Sequence, residues 1–331
     1  MKIAMVTPYN VKCGIFTYSR DLYTALAEHG VETYISRFPR FGNKSPALLE
    51  NIARKIPKDA DLIHVQHEYG LFSGFEGVFY EALRQTKKPI VTTMHAIGNF
   101  NADKVTSMGS DKIIVHNDFC QRKYSGESTI IPHGCKTIET MPIEQAKKIM
   151  GIPSKLPIVG YVGFITPHKG IDDIILAMEP IEKAGVVIGG GWHQGPDTEY
   201  MQSLKELGNQ RLQNRIQWTG FVEENRLSTV YGCMDLLVVA SRFATESGAL
   251  LTAMAYGKPI IARDLPPFKE KGLNVFENVP QLSAMIDEAL NDPEMLAKMG
   301  MCSTLYARTN SWDKIALKHI KLYKTTTSKR Q

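Results

Sequence analysis

Runs of β-branched residues alternate with longer amphipathic stretches along this chain. Strand-like runs occupy 3–6, 62–65 and 90–93, and the stretch 20–29 has the apolar spacing of a helix that stops at Gly30. Glycine directly after the last turn is a common helix terminator. Parallel strands need a long crossover between them, usually a helix, so this alternation predicts an α/β fold built on parallel sheets.

The alternation breaks at 151–157, a segment with two prolines, and then restarts. A length of 331 residues is enough for two domains that each bury a core. We therefore predict two doubly wound, Rossmann-like domains with a cleft between them, the first over 1–150 and the second over 151–310. The segment 311–331 is predicted to be a C-terminal helix that packs back on the first domain.

Composition excludes several classes of protein. The net charge of +5 is modest, without a dense basic patch, which argues against a nucleic-acid partner. The five cysteines include no C-x-x-C pair, so neither a disulfide framework nor a structural zinc site is expected. No run approaches about 18 apolar residues, and the apolar start soon meets Pro8, so we expect neither a membrane span nor a signal peptide. These features favour a cytoplasmic protein.

Three loops after predicted strands carry residues that can bind an anion, and ligands of open parallel sheets bind at the carboxyl ends of strands. Gly14 permits close backbone approach in the first loop, although such a glycine more often serves packing. Lys169 lies just before a predicted helix, where its ammonium either contacts a phosphate or caps a turn in solvent. Its glycine follows it, so the P-loop spacing is absent. Ser247 is a predicted helix cap, and the free amides at Ser247, Gly248 and Ala249 favour a phosphate.

Eight short motifs are spread over nearly the whole chain. They lie at 163–170, 219–222, 246–248, 253–259, 61–64, 93–95, 131–134 and 311–323. In combination they resemble the motifs of glycosyltransferase family 4. The resemblance implies the GT-B fold, with a nucleotide-sugar held mainly by the second domain. It also implies retaining transfer of a hexose to an acceptor hydroxyl, in glycan, glycolipid or polysaccharide synthesis, without a metal or other cofactor.

The resemblance assigns roles to individual residues. Lys169 matches the lysine that contacts the donor diphosphate, His95 matches a histidine that approaches the donor sugar, and Gly14 matches a glycine near the phosphate and acceptor. The carboxylate of Glu246 either accepts hydrogen bonds from sugar hydroxyls or only lies near a helix dipole. Residues expected to bind the donor are Gly14, Gly163, Lys169, Phe221, Val222, Glu246, Ser247, Gly248 and Ala249, with Phe221 and Val222 at the base and Gly248 and Ala249 at the phosphates. Residues expected to act in catalysis are His95, Glu246 and Lys169.

Two positions depart from the family pattern. Phe164 stands where the family has an arginine that shares the diphosphate charge, and Thr252 stands where it has a second glutamate. These losses motivate an alternative, a non-catalytic homologue that binds a nucleotide-sugar or serves as partner subunit of a transferase. A nucleotide-sugar 2-epimerase is a further rival, but no acid/base carboxylates for it can be placed.

Four other signals carry less weight. Asp59 and Asp61 form a D-x-D string, but it precedes a strand, away from the expected site, so no metal is predicted. His64 and His67 lie three apart on a strand and face opposite sides, which predicts one core or site histidine and one in the following loop. The basic and aromatic run 37–41 suits a lipid-linked acceptor or an ordinary loop. Lysines of the C-terminal helix indicate a solvated face, with peripheral contact to a membrane surface as the alternative.

Overall fold

The computed structural model describes residues 1–11, 13–42, 44–191 and 198–328. The chain divides into two compact units, Met1–Gly134 with Asn310–Gln331, and Cys135–Thr309. Among the described residues, each unit contains one six-stranded sheet in which all paired strands are parallel. The predicted class, two doubly wound α/β domains, is confirmed.

The strands of the two sheets follow each other in chain order. They are β1 (Lys2–Pro8), β2 (Glu32–Phe38), β3 (Leu62–His67), β4 (Ile90–Met94), β5 (Lys112–Val115), β6 (Thr129–Ile130), β7 (Ile158–Val162), β8 (Gly185–Gly189), β9 (Ile216–Gly220), β10 (Leu236–Val239), β11 (Ile260–Arg263) and β12 (Asn274–Phe276). The first sheet has the order β2-β1-β3-β4-β5-β6, and the second has the order β12-β11-β10-β7-β8-β9.

Helices connect the strands and cover the sheets. They are α1 (Gly14–Glu28), α2 (Pro46–Arg54), α3 (Tyr69–Phe72), α4 (Glu76–Arg84), α5 (Phe100–Gly109), α6 (Asp118–Lys123), α7 (Ile143–Ile149), α8 (Ile171–Met178), α9 (Glu199–Leu212), α10 (Leu227–Gly232), α11 (Gly248–Ala255), α12 (Pro266–Lys269), α13 (Val279–Asn291), α14 (Pro293–Thr309) and α15 (Trp312–Ser328). Short 3₁₀ turns cover Pro167–Lys169, Gln213–Arg215 and Glu224–Arg226.

Burial explains which strands the sequence pattern reveals. The central strands β3, β4 and β7 are buried at every position, and their apolar, β-branched runs are easily recognised. The strands β2 and β12 lie at the edges of their sheets and were not predicted. Their sequences mix polar and apolar residues, because an edge strand is only partly covered.

One helix ends earlier than predicted. The apolar spacing of residues 172–183 predicts a helix over that whole stretch, but α8 ends at Met178. Pro180 explains the difference, because a proline has no backbone N–H to continue the helical hydrogen bonds and its ring clashes with the preceding turn.

The division between the units differs from the predicted boundary at residue 150. Residues 135–150 belong to the second unit, because Cys135, Ala146 and Met150 are buried in its core. The helix α15 belongs to the first unit and packs against α1, with Ile315 and Tyr323 fully buried in that unit's core. The last part of the predicted helix, residues 329–331, lies outside the described residues.

Candidate functional site

The strand order of the second unit creates a crevice at one place. The chain runs from β7 to β8 on one side, while β10 pairs with the opposite edge of β7. Such a reversal separates the loops at the carboxyl ends of two neighbouring strands and is the usual ligand site of an open α/β sheet. Here these are the loops after β7, at 163–170, and after β10, at 240–247. They carry four of the nine residues predicted to bind the donor, and two more, Gly248 and Ala249, follow directly at the start of α11.

Glycines allow the backbone of these loops to pack closely. The amide of Gly163 donates to the carbonyl oxygen of Gly189 at 2.8 Å, and a Cβ at Gly190 would overlap the carbonyl oxygen of Gly163. Gly170 has a φ of +67°, and a Cβ there would overlap the carbonyl oxygen of Ala240. No side chain fits at these points, so the loop after β7 is held against the ends of β8 and β10.

Lys169 lies in the 3₁₀ turn of this loop and is half-buried. Burial lowers the pKa of its ammonium, because desolvation disfavours the charged form. Within the described ranges the ammonium has neither an ion-pair partner nor a hydrogen-bond partner. A partly desolvated cation without a counter-ion is well suited to bind an anion.

Arg242 explains why nearby acids do not neutralise Lys169. Its backbone amide donates to the carbonyl oxygen of His168 at 2.8 Å, which fixes the 3₁₀ turn. Its guanidinium pairs with Asp172 at 2.6 Å and with Asp173 at 3.0 Å, the acids in the first turn of α8. Arg263 also pairs with Asp173. The acids closest in sequence to Lys169 are thus bound by two arginines that the sequence analysis did not single out.

The N-terminus of α11 lies against the same loop. The side chain of Ser247 accepts a hydrogen bond from the amide of Leu250 at 3.3 Å, as expected of the predicted cap. The first turn of α11 contains no acid, and Gly248 is exposed. A Cβ at Gly163 would lie 3.4 Å from that of Ala249, so the loop of Lys169 contacts the start of the helix. The structure therefore brings together a cation and the positive end of a helix dipole.

Glu246 lies beside this helix but is bound to the protein. Its Oε2 atom is 2.9 Å from Nζ of Lys271, and its Oε1 atom accepts from the amide of Ser247 at 2.9 Å. The side chains of Glu246 and Lys271 are only 7% and 2% exposed. Burial lowers the pKa of Lys271, but the charge of Glu246 and nearby Tyr306 outweigh it, and the pKa is raised. The sequence pattern gave no signal for Lys271, which lies far from Glu246 along the chain.

Three other residues named from the sequence take defined positions. Thr252 donates from Oγ1 to the carbonyl oxygen of Gly248 at 2.8 Å, within α11. Phe221 is 38% exposed just after β9, and Val222 packs on the second unit's core. Contact of Phe221 and Val222 with a nucleotide base stays a prediction.

Gly14 and His95 belong to the first unit. Gly14 is exposed at the first position of α1, after Cys13 as cap, and a Cβ there would meet no atom within 4 Å. His95 follows β4 and is half-buried, with Nε2 at 2.9 Å from Oε1 of Gln66. Since an amide oxygen only accepts, Nε2 of His95 carries the proton. Burial and the neighbouring His116 and His133 lower the pKa of His95.

A buried hydrogen-bond network reaches His95 through Gln66. The amide nitrogen of Gln66 lies 3.2 Å from Nε2 of His64, which is also 2.8 Å from Oγ1 of Thr93. The other ring nitrogen of His64 lies 2.8 Å from the hydroxyl of Tyr323 on α15. The network therefore connects the C-terminal helix with the predicted sugar-contacting histidine.

The weaker sequence signals resolve into structural roles. The prediction that one of the two histidines lies in the following loop is wrong. His67 is the last residue of β3 and is fully buried, with its ring stacked on Phe72 at 4.5 Å between ring centres. Asp59 pairs with Nζ of Lys2 at 2.6 Å, and Asp61 accepts from the backbone amide of Lys2 at 2.7 Å. Both aspartates of the D-x-D string therefore bind Lys2, the first residue of β1. Among the described residues, no helix is both long and apolar enough to span a bilayer.

A comparison with known families matches most of the second unit. Residues 142–302 match the family model described as glycosyl transferases group 1. This segment is similar to a group 1 glycosyl transferase domain and is called here the group 1 domain. The domain contains the loops after β7 and β10, and with them Lys169, Glu246 and the start of α11.

Relatives of the group 1 glycosyl transferase domain agree with this assignment. The lipopolysaccharide core biosynthesis mannosyltransferase LpsB of Rhizobium meliloti is 30% identical over 177 residues, which cover 49% of this chain and 49% of that protein. The aligned parts of the first three curated relatives cover 39% to 49% of their lengths, so the chain spans about half their length or less.

Solved structures resemble the whole chain in fold. HepE from Anabaena in complex with UDP and glucose has a TM-score of 0.79 and 16% identity, covering 98% of this chain and all of that one. Sucrose-phosphate synthase from Thermosynechococcus elongatus has a TM-score of 0.78 and 20% identity, covering 99% of both chains. These likenesses confirm the predicted GT-B fold.

Proposed function

We propose that this chain is a retaining, metal-independent glycosyltransferase of family 4. It moves a hexose from a nucleotide-diphosphate-sugar to an acceptor hydroxyl on a sugar or a lipid-linked glycan, in the cytoplasm or at the inner face of a membrane. The proposal is supported by the group 1 match and by the known ligands of similar proteins. HepE was crystallised with UDP and glucose, and LpsB is named a mannosyltransferase.

The observation that carries the proposal is the pairing of Lys169 with the start of α11. Among the described residues the half-buried ammonium has no counter-ion, and its loop contacts a helix whose first turn contains no acid. Both features favour phosphate oxygens, and together they replace part of the charge that a divalent cation supplies elsewhere. A diphosphate held here becomes a better leaving group, because its developing negative charge is stabilised in place.

The transfer step then follows from charge stabilisation. The bond between the anomeric carbon and the diphosphate oxygen breaks, and the acceptor oxygen forms its bond on the same face of the sugar. The acceptor proton passes to an oxygen of the departing diphosphate. His95, with its proton on Nε2 directed at Gln66, stays neutral at pH 7 and contacts the sugar rather than carrying a charge.

Calorimetry and an anomer-resolved transfer assay test the proposal. We expect one of UDP, GDP and ADP to bind, with the same affinity in the presence of chelator as in the presence of magnesium. We expect the matching nucleotide-sugar to yield a product that has the donor's anomeric configuration, as measured by NMR. Binding that requires magnesium would contradict the charge argument. An inverted product would contradict the retaining mechanism.

A specific observation favours one alternative, a binding protein without transferase activity. Phe164 lacks the family's arginine charge, the Thr252 hydroxyl is used within α11, and Glu246 is paired with Lys271. Nucleotide-sugar binding without hydrolysis or transfer, across a panel of UDP-, GDP- and ADP-hexoses and acceptors, would favour this alternative.

A further inference from the structure

A second cationic site lies in the first unit. Pro8 and Phe38 pair in the parallel register of β1 and β2, so the loops that follow these strands run side by side. Ligands of parallel sheets bind at this end of the strands. Tyr9 and Arg40 lie in these loops, and Arg37 lies at the end of β2.

Both arginines lie over aromatic rings instead of pairing with acids. The guanidinium carbon of Arg37 lies 5.1 Å from the ring centre of Tyr9, and that of Arg40 lies 5.4 Å from the ring centre of Phe41. Tyr9 is in turn fixed by an edge contact with Phe16, at 5.4 Å between ring centres. Stacking on a ring orients a guanidinium while leaving its N–H groups available to a ligand.

Lys44 adds a third positive charge close to Arg40. It is only 6% exposed, and Nζ donates to the carbonyl oxygens of Phe41 at 3.1 Å and Gly42 at 2.8 Å. Burial lowers the pKa of Lys44, and the charge of Arg40 lowers it further. Over the parts of the chain that the structure describes, Arg37, Arg40 and Lys44 form no ion pair. By contrast, Arg54 on the adjacent α2 pairs with Glu50 at 2.8 Å.

The first turns of the two adjacent helices add no negative charge to compensate these three cations. Phe16 belongs to the first turn of α1, and Lys44 lies two residues before α2. Neither helix has an acid in its first turn, so both N-termini direct partial positive charge toward these loops. Like charges held together without an opposite charge cost free energy, an arrangement typical of a site that binds an opposite charge.

We propose that Arg37, Arg40 and Lys44, called here the β2-loop cluster, bind a phosphate group of the acceptor. Three positive charges favour a group with up to two negative charges over a carboxylate, and the two guanidiniums supply paired donors that match phosphate oxygens. Lys44 is buried against carbonyls and acts through its charge and by holding the loop. The identification of the ligand as the acceptor rests on the proposed function, whereas phosphate binding by the cluster does not.

The test compares the double variant Arg37→Gln/Arg40→Gln with a matched control, Arg54→Gln/Lys58→Gln. Both remove two surface charges from the same unit. Binding of glucose 6-phosphate and of glucose is measured by calorimetry with saturating UDP, which occupies the site of the group 1 domain. Binding to vesicles of phosphatidylglycerol and of phosphatidylcholine is measured by sedimentation. Circular dichroism checks that the variants fold.

We expect the cluster variant to bind a phosphate-bearing probe at least 10-fold more weakly than the wild type, and the control to stay within 2-fold. Loss confined to glucose 6-phosphate indicates a soluble phosphorylated acceptor, and loss confined to phosphatidylglycerol indicates a lipid phosphate. The inference is overturned if the variant and wild type bind equally, if glucose binds as tightly as glucose 6-phosphate, or if no phosphate probe binds. Phosphate binding that depends on the cluster in a protein without transfer activity would instead contradict only the proposed function.

Discussion

Glu246 and Lys271 form a buried ion pair, with Oε2 and Nζ 2.9 Å apart and both side chains almost fully covered. The pair lies directly before α11, whose free amides are the predicted phosphate site. Lys271 also donates to the carbonyl oxygen of Pro267 at 3.2 Å, so it connects α12 with the loop after β10. The carboxylate predicted to orient the sugar is therefore itself oriented by a cation that the protein supplies.

Replacing Lys271 by methionine should destabilise the second unit strongly. The substitution leaves the carboxylate of Glu246 buried without its cation, which typically costs about 3–5 kcal/mol. Urea unfolding followed by circular dichroism measures the change. Lys269→Met is the control, because Lys269 is exposed and pairs with Asp264 at the surface. A double variant, Lys271→Met with Glu246→Gln, should regain part of the loss, and equal stability of Lys271→Met and wild type would contradict the importance of the pair.

Replacing Glu246 by glutamine should separate binding from transfer. The variant keeps the shape but loses the charge that holds Lys271 and accepts from sugar hydroxyls. Misplacing a reacting ring by about 1 Å can cost about 100-fold in rate, so we expect a drop of that order in the initial transfer rate. Calorimetry with UDP should show nearly unchanged affinity, because the helix amides and Lys169 remain. Full transfer activity would show that Glu246 has only a structural role.

Replacing Lys169 by methionine should weaken binding of the diphosphate. A hydrogen bond to a charged group contributes about 1.5–3 kcal/mol, equivalent to about 10- to 150-fold in the dissociation constant. Lys155→Met removes an exposed lysine from the same unit and should change the constant little. Calorimetry with UDP and GDP measures both variants. Unchanged affinity of Lys169→Met would identify this lysine as a loop residue without a ligand.

Replacing Gln66 by glutamate should shift the titration of His95. A carboxylate at the position of the amide oxygen, 2.9 Å from Nε2, stabilises the charged imidazolium and raises the pKa of His95. Nitrogen NMR of the histidine rings measures this pKa directly, and the acid limb of the transfer rate should move to higher pH. Gln66→Leu serves as comparison, because it removes the hydrogen bond without adding charge. An identical titration of His95 in all three proteins would exclude a positioning role for Gln66.

The first unit should lose stability as the pH falls below about 6.5. Burial lowers the pKa of His319 to about 4 and that of His67 to about 3. Between these values and the unfolded pKa of about 6.5, the unfolded chain binds more protons, so protonation favours unfolding. Each such histidine contributes a slope of about 1.4 kcal/mol per pH unit. In urea titrations from pH 7 to pH 5, His319→Phe should reduce this slope by about that amount, and an unchanged slope would contradict the assignment.

The predictable part of this molecule is the part set by local pattern. The buried strand β4, the cap at Ser247 and the glycine after Lys169 follow from residues close together in sequence, and the structure has them where the pattern indicated. The edge strand β2 was not predicted from the sequence, because it is only partly covered and mixes polar with apolar residues.

Partners from distant segments were beyond the reach of sequence patterns. Lys271 reaches Glu246 only because α12 packs beside the loop after β10, and Arg242 reaches Asp172 only because β7 and β10 are neighbours in the sheet. The same holds for Tyr323, which joins His64 through the packing of α15 on α1. Contacts of this kind depend on tertiary packing, which no single-sequence periodicity encodes.

The return of α15 to the first unit makes that unit discontinuous along the chain. Its core includes Ile315, Ala316 and Tyr323, which are translated after the whole of Cys135–Thr309. Every residue of the second unit is therefore synthesised before the first unit receives its last helix. Until that helix docks, the first unit has an uncovered apolar face over Tyr18 and Leu22.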